Sequence, residues 1–249
     1  SKVATAVAAA LPLTVSEKDE LRWKSITGYN EAQTAARRIA TRNGTVRTGI
    51  DVLEVHNFDS IRAADGKKKI GLLTNQTGLD AQGRRTIDVL ANAPGISLDA
   101  IFSPEHGVTG AMDTTDIANS KDAATGIPVY SVYGNTDAAR RPPVDILKPL
   151  DAVVFDVQDV GSRFYTYETT LGYFLEAAAK AGIEMIVLDR PHPVTGSFLQ
   201  GALPHSVHAT FVTSFPVPAR HRFSLVQLPP MVTPVPPPPT RPPVVPLAL

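Results

Sequence analysis

The chain has 249 residues, no cysteine, and 24 Lys plus Arg balanced by 24 Asp plus Glu. Zero formal net charge removes the basic excess that drives non-specific nucleic-acid binding, so no nucleic-acid partner is expected. Without thiols there are no disulfides, thiolate zinc sites or cysteine nucleophile, and no apolar run reaches the roughly 18–20 residues of a spanning helix.

In chain order, Val3–Leu13 follows Lys2 and reads either as the remnant of a signal segment or as an ordinary apolar start. Residues 14–43 carry a capping-box-like Ser16/Asp19 pair and a stop at Gly44, which predicts one or two helices within an N-terminal segment, 1–48. Gly49–Ala63 is a short helix with Ile50, Leu53, Phe58 and Ile61 on its apolar side, closed by the Asp65-Gly66 turn. From Lys69 short apolar runs alternate with helical stretches. The strands are Lys69–Thr74, Leu98–Phe102, Val129–Val132, Ala152–Phe155 and Glu184–Leu188. The helices are Arg84–Asn92 and Phe164–Ala181, the second ending at Gly182 with Leu171, Leu175, Ala178 and Ala179 on one face. Phe211–Phe215 is one further candidate strand. Continuously apolar strands separated by helices indicate an α/β, Rossmann-like, mostly parallel sheet with helices on both faces, over residues 49–228. Residues 229–249 hold ten of the 22 prolines and predict a disordered, polyproline-like tail.

In an open parallel sheet, ligands bind beyond the carboxyl ends of the strands. Four such ends are densely polar: Thr74-Asn75-Gln76-Thr77-Gly78, Ser103-Pro104-Glu105-His106-Gly107, Asp156 through Arg163, and Asp189-Arg190-Pro191-His192-Pro193. The first turn has one glycine where a dinucleotide fingerprint needs three, and neither a P-loop nor a G-x-S-x-G elbow occurs. An aspartyl-phosphate enzyme would want D-x-D, and Gln158 stands at the second acidic position. A Mg-dependent phosphatase using Asp156 is the weaker alternative. His106, His192 and His221 lie near these loops, with Asp156 and Asp189 nearby in the topology. No two histidines share ligand spacing, so no metal and no other cofactor is expected. Glu105 has the setting of a general acid, against the alternative of a helix cap or a salt bridge to Arg163 or Arg190.

Taken together, GLLTNQTG (71–78), FSPEHG (102–107), TGIPVYSVYG (125–134), VVFDVQDVGSRFYTY (153–167), VLDRPHP (187–193) and FPVPARH (215–221) resemble the NamZ-type exo-β-N-acetylmuramidases. The resemblance covers about residues 49–228. It implies a Rossmann-like subdomain, a cleft shared with a second subdomain, and removal of N-acetylmuramic acid from the non-reducing end of peptidoglycan fragments. It also implies secretion or a periplasmic location.

Carried over by position, Glu105 is the catalytic acid and His106 its neighbour. Asn75, Gln76, Gln158, Arg163, Tyr165 and Tyr167 line the sugar pocket with Asp156 and Asp159. Glycosidases pair such an acid with a second carboxylate, for which Asp156, Asp159 and Asp189 are candidates; the substrate's acetamido oxygen is the other possible nucleophile. Arg163 or Arg190 would bind the lactyl carboxylate. Tyr165 or Tyr167 would stack on the sugar or pack in the core.

The chain departs from the family pattern at His192, where Asn is usual, and at Arg222, where Gly is usual. The proline-rich tail stands where the second subdomain would begin, as lost or mistranslated sequence would leave it. A sugar-binding or inactive remnant, with apolar surface exposed on the interface side, is therefore the alternative function.

Overall fold

A computed structural model describes residues 47–194, 198–204, 210–221, 223–228 and 244–245. The expectations for residues 1–46, the proposed signal remnant and helices included, lie outside the described residues, as does Arg222. Lys68–Thr74 (β1) and Ala152–Asp156 (β5) pair in parallel at the centre of the sheet. Their side chains alternate between two cores. Ile70, Leu72, Ala152 and Val154 face one side; Leu73, Val153 and Phe155 face the other. A strand buried on both faces needs such a continuous apolar run, because every residue meets a covering layer.

Outward from this pair lie Ile96–Ser103 (β2) beside β1, then Pro128–Ser131 (β4), then the two-residue antiparallel Ser120–Lys121 (β3). On the other side Glu184–Leu188 (β6) pairs with β5, and Val244–Val245 (β7) closes the edge. The full order is β3-β4-β2-β1-β5-β6-β7. The five main strands thus run 3-2-1-4-5 in their own sequence, the Rossmann order, with the switch point between β1 and β5. β3 had no sequence signal. Val244 and Val245 pair with β6 at the sheet edge, and the rest of the proline-rich tail lies outside the described residues. An edge is where a segment flanked by prolines can pair, since only one side needs donors.

Register breaks once. Between Ile70 and Gly71 the β2 partner advances from Leu98 to Ala100, so exposed Asp99 bulges out. The bulge reverses the phase of β2: Ile96, Leu98 and Ile101 join one core while Ala100 and Phe102 join the other. Phe102 then lies against Gly71, where a Cβ would come within 2.7 Å of its ring.

Gly49–Val55 (α1) and Thr86–Ala91 (α2) cover one face through Ile50, Leu53, Ile87 and Leu90. Val144–Leu147 (α3) and Thr166–Ala181 (α4) cover the other through Leu147, Leu171, Phe174 and Ala178. α1 is shorter than expected, ending at Val55 in place of Ala63, with His56 as its C-cap. α4 begins two residues later than expected, because Tyr165 is extended, and Ala179 is exposed while Phe174 takes the core position. Its end falls as expected: Gly182 adopts φ 72° and Ile183 N–H donates to Ala178 O at 3.1 Å. Residues 211–215 form turns, not a strand. Thr213 N–H donates to Thr210 O, and the Phe211 ring lies 4.4 Å beneath the Arg140 guanidinium.

Candidate active site

The first turn of α4 organises the polar edge of the sheet. Three successive side chains reach three different loops. Thr166 Oγ1 donates to Glu105 Oε2 at 2.5 Å. Tyr167 Oη accepts from Asn75 Nδ2 at 3.0 Å. Glu168 bonds His221 Nε2. A helix starting beside the switch point projects its first residues in different directions, about 100° apart.

Glu105 follows β2, and its other oxygen accepts the Tyr133 hydroxyl at 2.5 Å. Burial, then the Glu105 contact, pushes the Tyr133 hydroxyl up to about 12, so it remains a donor at neutral pH. Glu105 is half-buried, and with Tyr133, His106, Asp113, Thr114 and Thr115 it lines a depression of about 350 Å³. The turn beneath it is unusual. His106 and Gly107 have successive φ values of 69° and 77°, a left-handed conformation that non-glycine residues seldom adopt. His106 Nδ1 meets Met112 O at 2.9 Å, which holds its ring at the exposed rim of the depression.

Several residues expected in the site are instead committed to structure. Asp156 is fully buried, and Arg190 grips it with Nε to Oδ1 at 2.6 Å and Nη2 to Oδ2 at 2.9 Å. Thr86 Oγ1 donates to the same carboxylate, and Arg190 Nη2 also donates to Leu79 O at 2.9 Å. Asp156 and Arg190 thus neutralise each other out of solvent, as a buried ion pair beneath the strand ends. Neither Arg163 nor Arg190 forms the salt bridge to Glu105 considered from sequence. Arg163 Nη1 donates to Ala202 O and Val217 O, tying two loops.

Asp189 is buried. Desolvation raises its pKa, and its Oδ1 lies 3.5 Å from Val226 N, so it anchors the 224–227 turn. Asn75 Oδ1 accepts from Thr77 N–H at 2.9 Å, making an Asx turn, while Gln158 Nε2 donates to Asp159 O and Pro191 O. Gln76 fills the space over Gly110, where a Cβ would come within 2.2 Å of its amide carbon. Tyr165 and Tyr167 meet edge to face at 5.0 Å; Tyr167 is core, and Tyr165 packs against it half-buried.

Asp159 belongs to a second group with Glu168, His192 and His221. Burial, then the Glu168 charge, lifts its carboxyl to about 7. Burial lowers the His192 imidazole to about 4. For His221, burial opposes the charged form, but the Glu168 hydrogen bond and charge outweigh it and the pKa is raised. Among the expected residues, only Glu105 and His106 line the depression. Sequence reasoning missed Tyr133, Thr166 and Asp113, the second carboxylate on the same depression; Tyr133 lay inside a quoted motif, but nothing local marked it as a partner of Glu105. A larger depression of about 560 Å³ near α1 and α2 includes Arg84 and Arg85, both bound to acids. Phe164, Phe198, Leu199 and Leu203 are more than half exposed. Among the described residues no helix is long and apolar enough to cross a membrane.

The Rossmann order with a carboxylic acid held at the switch edge defines an α/β protein of the kind that carries a ligand-binding cleft at its strand ends. The sequence model described as exo-beta-N-acetylmuramidase NamZ, N-terminal, matches residues 70–235, and the chain belongs to that family. It is 41% identical over 184 residues to the peptidoglycan beta-N-acetylmuramidase NamZ of Bacillus subtilis (strain 168), covering 74% of this chain and 43% of that protein. The chain thus spans less than half the length of this curated relative. Two solved DUF1343 family proteins of Bacteroides fragilis NCTC 9343 share the fold. One has a TM-score of 0.70 at 36% identity, covering 82% of this chain and 50% of its own. The other has 0.62 at 26%, covering 81% and 52%.

Proposed function

We propose that this chain carries the catalytic acid of a glycoside hydrolase that releases N-acetylmuramic acid from the non-reducing end of peptidoglycan fragments. The observation that carries the proposal is Glu105, fixed at a strand end by the Tyr133 and Thr166 hydroxyls and open to a depression of sugar-ring size. A general acid needs a fixed carboxyl within reach of the glycosidic oxygen. Two hydroxyl donors hold both oxygens in place and leave the group accessible through its half-exposed side. As the glycosidic bond breaks and positive charge develops at the anomeric carbon, Glu105 gives its proton to the leaving oxygen, and water supplies the hydroxyl that the anomeric carbon gains by the end of the hydrolysis. Asp113 lines the same depression, which supports a role for it in stabilising that charge or orienting the acetamido group. Peptidoglycan lies outside the cytoplasmic membrane, so the proposal includes export.

The test is turnover of a chromogenic N-acetylmuramide by the chain and by Glu105→Gln. The variant should lose at least about 100-fold. Equal rates in the two would remove Glu105 from the mechanism. Saccharide binding with no turnover in either would favour the binding-only reading, for which the exposed Phe164 and Phe198 speak.

A further inference from the structure

We propose that Asp159, Glu168, His192 and His221 form a binding site for one divalent transition-metal ion of the zinc type, separate from the Glu105 depression. One donor atom from each of Asp159, Glu168 and His221 lies within 4.8 Å of the others. Tetrahedral ligands at about 2.1 Å from zinc stand about 3.4 Å apart, so modest side-chain rotation brings the three into a ligating arrangement. His192 supplies the fourth donor: its Nε2 is 3.9 Å from Asp159 Oδ1, and its ring meets that of His221 edge to face at 5.6 Å.

Burial and missing partners point to a ligand. The four side chains are at most 5% exposed. Among the described residues, Asp159 Oδ2, Glu168 Oε2 and both His192 ring nitrogens have no hydrogen-bond partner. Buried polar atoms are nearly always satisfied, so four orphans in one cluster need an explanation. Two nitrogens and two oxygens suit zinc or a similar first-row ion, while calcium and magnesium prefer oxygen alone. The surroundings already hold the ligands. Gly161 N–H donates to Asp159 Oδ1 at 2.7 Å, and Phe223 stacks on His221.

The four donors come from the loop after β5, α4, the loop after β6, and the 210–221 segment. Bound metal would therefore tie these four segments together through their side chains, and the effect is readable as stability whatever the enzyme's substrate. Spacings of 9, 24 and 29 residues form no short ligand motif, which is why sequence alone argued against a metal.

The test uses the whole 249-residue chain, untagged and purified without chelator. Plasma mass spectrometry should find about one zinc per chain. After stripping with dipicolinate, zinc alone should restore binding by calorimetry and raise the thermal midpoint. His192→Asn and Asp159→Asn should each weaken zinc binding at least about tenfold. His56→Ala, an exposed histidine outside the cluster, should leave it unchanged. Circular dichroism checks folding, and His192→Asn, at the edge of the group, carries the test if Asp159→Asn does not fold. A chain with no zinc and no midpoint shift at saturating zinc overturns the proposal. Zinc affinity unaltered in both variants overturns it equally.

Discussion

Removing Arg190 would separate structure from recognition at the switch point. In Arg190→Met the Asp156 carboxylate keeps its fully buried position and the Thr86 hydroxyl but loses two charged hydrogen bonds, of 2.6 and 2.9 Å. Leu79 O loses its donor as well. Breaking a buried pair by deleting one partner costs about 3–5 kcal/mol, because the remaining charge is uncompensated. For a domain of this size that corresponds to a fall of about 6–20 °C in the thermal midpoint. Asp156→Asn strands the Arg190 cation in the same way. The double variant Asp156→Asn/Arg190→Met leaves no buried charge and keeps an acceptor for Thr86, so it should recover most of the loss and show a coupling of about 2 kcal/mol or more. Urea denaturation of the four proteins reads each quantity. Single losses below about 1 kcal/mol that simply add would refute the reasoning and return Arg190 to the pool of substrate-binding cations.

Freeing Glu105 on one side with Tyr133→Phe should lower turnover of an N-acetylmuramide about tenfold while Glu105 remains in place; an unchanged rate would mean that the hydroxyl does not position the acid. Gly161→Ala should destabilise by about 1–3 kcal/mol, because φ is 84° and the new Cβ would come within 2.8 Å of His192 Nδ1; an unaltered urea midpoint would contradict that geometry. Asp122 is held down to about 2, chiefly by its hydrogen bond from Arg85. Its unfolded pKa is about 3.9, so its contribution is complete above about pH 4 and is lost as pH falls through about 2. With half-exposed Arg85 discounted for screening, this is about 1–2 kcal/mol. Asp122→Asn should flatten the acid limb of urea stability by that amount, and an unchanged limb would show that the pair adds nothing.

The sequence by itself determined the main strands, the long helix and their order. Short, continuously apolar runs identified the five main strands, and Gly182 ended α4, because these signals act within a few residues. It also marked the four polar strand ends where ligand chemistry concentrates. Tertiary structure decided what those polar residues do. The bulge at Asp99 chose which core Phe102 enters. The pairing of β5 with β6 let Arg190, 34 residues away, consume Asp156. Glu105 received its two hydroxyl donors from positions 28 and 61 residues distant, and Glu168 met His221 across 53. Local periodicity records which side of its own element a residue faces. Which partner waits there follows from strand order and crossover path, and only the folded sheet brings those together.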